Sequence, residues 1–184
     1  MAARPELVST TSASNQRRSK ASSAATPGEG PPPFNAEGRI PGAIEGESLR
    51  IAAVSAGQAR PQAMSGFKAA RWSGDSQVWW TGARPGGRLA LEVPVAVQGR
   101  YEVVAACTKA HDYGIAKVAV NDDPPGEPID FHEPSGVKTT GEISLGVHAL
   151  KEGQNTLTIE ITGANKDAIQ SFMVGLDYIK PVAK

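Results

Sequence analysis

From Arg88 to Val95 every second residue is apolar: Leu89, Leu91, Val93 and Val95 fall on one side. A period of two is that of an extended strand with one face toward a core. The pattern recurs. Across 114–121, Ile115, Lys117 and Ala119 oppose Ala116, Val118 and Val120, and across 155–162, Leu157, Ile159 and Ile161 oppose Thr156, Thr158 and Glu160. Runs of β character also cover 44–53, 100–108 and 172–179. Gln98-Gly99, Asn121 to Gly126 and Lys151 to Asn155 separate them with turn-forming residues. Short strands at such regular spacing predict an all-β chain: two antiparallel sheets packed as a β-sandwich of jelly-roll type. Residues 164–171 suit one helical turn at most.

Length and composition set limits. A chain of 184 residues suits one domain plus a tail. Residues 1–38 are rich in Ser, Ala, Pro and Gly, and Gly28 to Pro33 can neither continue a helix nor pair in a sheet. They are expected to form a disordered tail or linker, with 39–184 forming the sandwich. Arg17-Arg18-Ser19-Lys20 reads as a solvated charge cluster. Formal net charge is zero, so no overall field draws the chain to nucleic acid or an anionic membrane. No apolar run is long enough to insert into a bilayer. The first residues lack the apolar core of a secretory signal, so the chain as written is expected in the cytoplasm. Cys107 is the single cysteine, which excludes an internal disulfide and a multi-cysteine metal site. Its strand-like surroundings suggest a buried, inert thiol.

Signatures of catalysis are missing. The chain has no glycine-rich phosphate loop, no Gly-X-Ser-X-Gly and no His-Glu-X-X-His, and its histidines 111, 132 and 148 are not spaced as a metal cluster. Binding, rather than catalysis, is the expected role. All three tryptophans fall between Trp72 and Trp80, beside Asp75 and Gln77. Indole faces among polar groups suit a ligand that is half apolar and half hydroxylated, such as a sugar; the same residues could instead be sheet core. If the tract is extended, Trp79 and Trp80 point to opposite sides. A second candidate is the connection carrying Lys109, His111, Asp112 and Tyr113, where loops present function at one end of a sandwich; its polar groups could also simply face water. A third is Glu45 with Glu47, which share a face if extended, joined by Asp177 if the first and last strands are neighbours. Three carboxylates with backbone carbonyls would form an oxygen-lined calcium site, or the Glu pair would merely blunt an edge strand.

The order of motifs resembles a known family. Ile44-Glu45-Gly46-Glu47 opens the domain, then Gly99 to Val103, Val118 to Asp122 and Leu150 to Leu157, and Gly175-Leu176-Asp177-Tyr178-Ile179 closes it. This is similar to the β-sandwich carbohydrate-binding modules of families 6 and 35, within the galactose-binding-like superfamily. The resemblance covers roughly residues 40–181. The stretches Trp72 to Gly82, Tyr113 to Ile115 and Ile129 to Phe131 look like the accessory domains of planctomycete-type exported proteins and DUF2961-type glycoside hydrolases. It implies a galactose-binding-like sandwich with a carbohydrate ligand, held within or tethered to a larger exported or cell-surface protein. It also implies a structural calcium at Glu45, Glu47 and Asp177, with Gly46 departing from the usual Ala. The ligand residues it leaves to chemistry are Trp72, Asp75, Gln77, Trp79, Trp80, Lys109, His111, Asp112 and Tyr113. The alternative is a structural or protein-interaction domain with the same fold and no sugar site.

Overall fold

The alternating runs become strands with one dry face. The computed structural model describes residues 34–184. In chain order the strands are β1 (Ile44–Glu45), β2 (Arg50–Val54), β3 (Gln58–Ala63), β4 (Ser76–Thr81), β5 (Arg88–Val95), β6 (Gly99–Lys109), β7 (Gly114–Val120), β8 (Ile129–Asp130), β9 (Lys138–Leu150), β10 (Gly153–Ala164) and β11 (Val174–Ala183). One sheet has the order β3-β4-β11-β6-β9, with β1 also against β11; the other is β2-β5-β10-β7-β8. Every strand pair is antiparallel. Leu89, Leu91 and Val93 of β5, Ala116 and Val120 of β7, and Leu157, Ile159 and Ile161 of β10 lie in one buried cluster with Val78, Trp80, Leu176 and Ile179 of the facing sheet. The predicted all-β sandwich is the observed architecture.

The run 44–53 is not one strand. A 3-10 turn at Gly46–Ser48 breaks it into β1 and β2. The cause is close backbone contact, since a Cβ on Gly46 would lie 2.1 Å from the Leu176 carbonyl oxygen. Gly46 therefore lets the chain pass over β11 where Ala could not. The segment 164–171 forms turns rather than a helical turn.

Two strands lack a sequence signature. β3 carries Pro61 and lies at an edge, where a missing N–H is tolerated. β9 is the opposite edge and is half-buried or exposed along nearly its whole length, so little alternation marks it.

The first sheet is also covered on its outward side. Met64 and Trp72 bury themselves there, and Ile40, Ala106 and Tyr178 make a second small cluster with Phe34 and Ala43 against it. Residues 34–38, expected in the tail, join this layer. The Arg71 guanidinium sits 4.1 Å from the Phe34 ring centre. The remainder of the expected tail lies outside the described residues.

Candidate functional site

Two constellations stand out, one around Trp79 and one around Asp177.

Strand β4 divides its two indoles as alternation requires. Trp80 points into the core and is fully buried, its Nε1 donating to the Ala56 carbonyl at 2.7 Å. Trp79 points outward and is half-buried. It lines an open cleft of about 180 Å³ together with Gln62, Met64, Phe67, His111, Asp112 and Tyr113. The far wall comes from Ala110, Val137 and Met173. Two connections that cross between the sheets meet here. Gly114 donates to the Met173 carbonyl at 3.0 Å and Ile169 to the His111 carbonyl at 2.8 Å, which ties the β6–β7 loop to the β10–β11 loop. Arg60, the cross-strand partner of Trp79, places its guanidinium 5.4 Å from the indole centre. His111 and Phe67 are exposed, Asp112 is half-buried and Tyr113 is buried. Burial pushes the Tyr113 hydroxyl well above its ordinary value, against hydrogen bonds from Gln77 and Trp79. It stays protonated and can donate.

The cleft thus gathers four of the nine expected ligand residues: Trp79, His111, Asp112 and Tyr113. The other five do not line it. Trp80 belongs to the core between the sheets. Trp72 and Gln77 are roofed by the outer layer, with at most 1% of either exposed, and cannot touch a ligand. Trp72 Nε1 donates instead to Thr108 Oγ1 at 2.8 Å. Asp75 is exposed on the 3-10 turn Ser73–Asp75, and Lys109 ends β6 opposite Lys138; neither lines the cleft. Sequence reading missed Gln62, Met64, Phe67, Val137 and Met173. Phe67 alone carried a signal, as an aromatic in a polar segment.

The second constellation forms where β11 changes neighbour. β4 pairs with Val174 to Leu176, and β1 pairs with Tyr178 and Ile179. The register against β6 slips between Leu176 and Tyr178, leaving Asp177 as the extra residue of a bulge. Its side chain is buried, with Oδ1 accepting the Ser73 N–H at 3.0 Å. Ser73 Oγ donates to Glu45 Oε1 at 2.8 Å and accepts the Ile40 N–H at 2.9 Å. Arg39 Nη1 is 3.6 Å from Glu45 Oε1. Glu47 sits on the 3-10 turn rather than along a strand, so it reaches the group by the turn and not by sharing a face. Desolvation, then the charges of Glu45 and Glu47, raises the Asp177 carboxyl to about 8. Glu47 is raised as well, chiefly by burial. Glu45 Oε2 and Glu47 Oε2 are buried without a hydrogen-bond partner. Orphaned carboxylate oxygens near a like-charged third are the donor chemistry of a hard cation. As they stand, however, no three acidic, histidine or cysteine side chains among the described residues converge as a ready metal group.

Cys107 is buried in the core, and burial pushes its thiol up to about 12.

No protein-family model and no curated protein matches the sequence. Solved structures do match the fold. A xanthan lyase from Paenibacillus is 20% identical over 88% of this chain and 14% of its own, with a TM-score of 0.67. A cycloisomaltooligosaccharide glucanotransferase from Paenibacillus, complexed with cycloisomaltoheptaose, is 16% identical over 80% of this chain and 19% of its own, with a TM-score of 0.50. A family 35 carbohydrate-binding module from Clostridium thermocellum is 19% identical over 77% of this chain and 98% of its own, with a TM-score of 0.49. The chain spans 14% of the xanthan lyase and 19% of the transferase. The likeness is one of fold: the β-sandwich class that the motif order of the sequence resembles.

Proposed function

We propose that this protein is a non-catalytic carbohydrate-binding module that seats a glycan in the cleft at Trp79. The observation that carries the reading is a half-exposed indole in an open cleft, flanked by Phe67 and by the hydrogen-bonding groups of Gln62, His111, Asp112 and Tyr113. An apolar sugar face can cover the rings while its hydroxyls meet the polar groups. Arg60, beside the indole, adds a donor at the rim. The shared fold supports the reading, because by their names the lyase and the transferase that carry it act on carbohydrate.

Covering about 60 Å² of ring at about 25 cal/mol per Å² is worth roughly 1.5 kcal/mol, a little over tenfold in affinity. A single site of this kind binds weakly, and linkage to other modules would supply avidity. Titration with a glycan panel, followed by tryptophan fluorescence, tests the reading. Trp79→Ala is expected to lose about tenfold or more in affinity with little change in melting temperature. No response to any glycan, or undiminished binding in Trp79→Ala, would refute it.

A second site rests on the orphaned oxygens of Glu45 and Glu47. We propose that these two residues and Asp177 hold a structural calcium ion. Bound there, the ion would neutralise the buried carboxylates and fasten β1 and the Ser73 turn to β11.

A further inference from the structure

The carboxylates of Glu45 and Glu47 face a cation that the chain itself supplies. Arg39 Nη1 lies 3.6 Å from Glu45 Oε1; the arginine side chain is 54% exposed and that of Glu45 only 6%. Gly74 shows how closely these side chains meet. A Cβ there would find Glu47 Oε1 at 3.7 Å, with Arg39 Cζ and Glu45 Cδ each at 3.8 Å. The guanidinium and both carboxylates thus surround one point above the turn Ser73–Asp75.

The backbone of Arg39 is fixed on both sides. Its N–H donates to Asn35 Oδ1 at 2.8 Å, and its carbonyl accepts the Asn35 N–H at 2.8 Å. The Gly38 carbonyl before it accepts the Gly74 N–H at 2.9 Å, and the Ile40 N–H after it donates to Ser73 Oγ at 2.9 Å. That hydroxyl is the one that donates to Glu45. The backbone therefore holds the guanidinium at the carboxylates, while the half-exposed side chain keeps room to swing into water.

Charge decides what else can enter. Carboxylates drawn out of water need a counter-charge. Arg39 brings one to Glu45 Oε1, whereas Oε2 of Glu45 and Oε2 of Glu47 are buried without a partner. A divalent ion at those oxygens would stand beside the guanidinium, and like charges repel strongly where water is scarce.

We propose that Arg39 is the built-in rival of the cation at this site: guanidinium and calcium are alternative counter-charges for Glu45 and Glu47, and the ion enters as the Arg39 side chain swings out. The arrangement described above, in which no three such side chains converge as a metal group, is then the arginine-held form. The rivalry rests on the calcium reading; the part of Arg39 as counter-ion of Glu45 does not.

Calorimetry with calcium chloride, on metal-stripped wild type, Arg39→Met and Arg39→Lys, reads the rivalry. Arg39→Met should bind calcium about 5-fold tighter or more, the lower end of usual coupling between two ligands. Arg39→Lys keeps the charge and should stay near the wild type. Denaturant unfolding closes the cycle. In chelator Arg39→Met should be less stable than the wild type, and saturating calcium should erase the difference. The loss in chelator should shrink when Glu45→Gln is already present, because the buried charge that Arg39 serves is gone. Unchanged or weaker calcium binding by Arg39→Met would overturn the rivalry. Binding by Arg39→Met alone would support it, with arginine holding the site outright in the wild type. Binding by neither would overturn the rivalry and the calcium reading together. The unfolding data would then decide the counter-ion role by themselves: an equal loss from Arg39→Met with and without Glu45→Gln would overturn that too.

Discussion

At single positions this sandwich is governed by what has no room. Gly46 passes over β11 so closely that a Cβ would lie 2.1 Å from the Leu176 carbonyl oxygen and 3.0 Å from that of Asp177. Backbone atoms cannot swing aside as a flexible side chain can. Gly46→Ala is therefore expected to destabilise the fold by about 1–3 kcal/mol, the usual cost of overpacking, measured by denaturant unfolding. The tryptophans show the same dependence on surroundings. The opposed directions of Trp79 and Trp80 were legible from alternation alone. The burial of Trp72 and Gln77 was not, because it depends on residues 64–73 folding back over the sheet, and no local pattern records which face of a sheet will be roofed.

At the level of elements, the strands that face the other sheet differ sharply from those at the edges. Ile159 of β10 is 2% exposed, whereas Val147 of β9 is 45% exposed. Ile159→Ala is expected to cost about 2–5 kcal/mol and Val147→Ala under about 0.5, a contrast that parallel denaturation curves would read directly. The same contrast explains which strands the sequence revealed. β5, β7 and β10 have one dry face and one wet face, so their apolar residues alternate. β9 and β3 are edges with little dry face, and their pairing is set by neighbours rather than by their own composition. β1 looked continuous with β2 because both are apolar-rich. Only the crossing at Gly46 separates them, and that is a contact with a strand at the far end of the chain. The cleft shares this origin, since β3, β4, both crossing loops and the segment before β9 contribute to it.

For the molecule as a whole, the Asp177 group makes stability depend on pH. The folded carboxyl titrates at about 8, against an ordinary value of 3.8. The folded state thus holds this proton more tightly than the unfolded state. Below about pH 4 both states keep it. As pH rises the unfolded chain ionises first, so stability falls toward pH 8 and levels off above it. Glu47 shifts in the same direction and adds to the fall. With a chelator present, melting temperature should decline across this range, and Asp177→Asn should flatten the decline. Calcium should raise the melting temperature most at the alkaline end and release protons on binding, an effect calorimetry in two buffers would detect. A melting temperature indifferent to calcium at pH 8 would remove the cation from the picture.

Cys107 has a practical consequence for anyone who wishes to watch the cleft at work. It is the single thiol of the chain, sealed in the core and held in its protonated, unreactive form. The native surface is therefore silent toward maleimides and other thiol reagents. A cysteine introduced at exposed His111 would be the one reactive handle, so a dye could be placed at the rim of the cleft without first removing anything from the core.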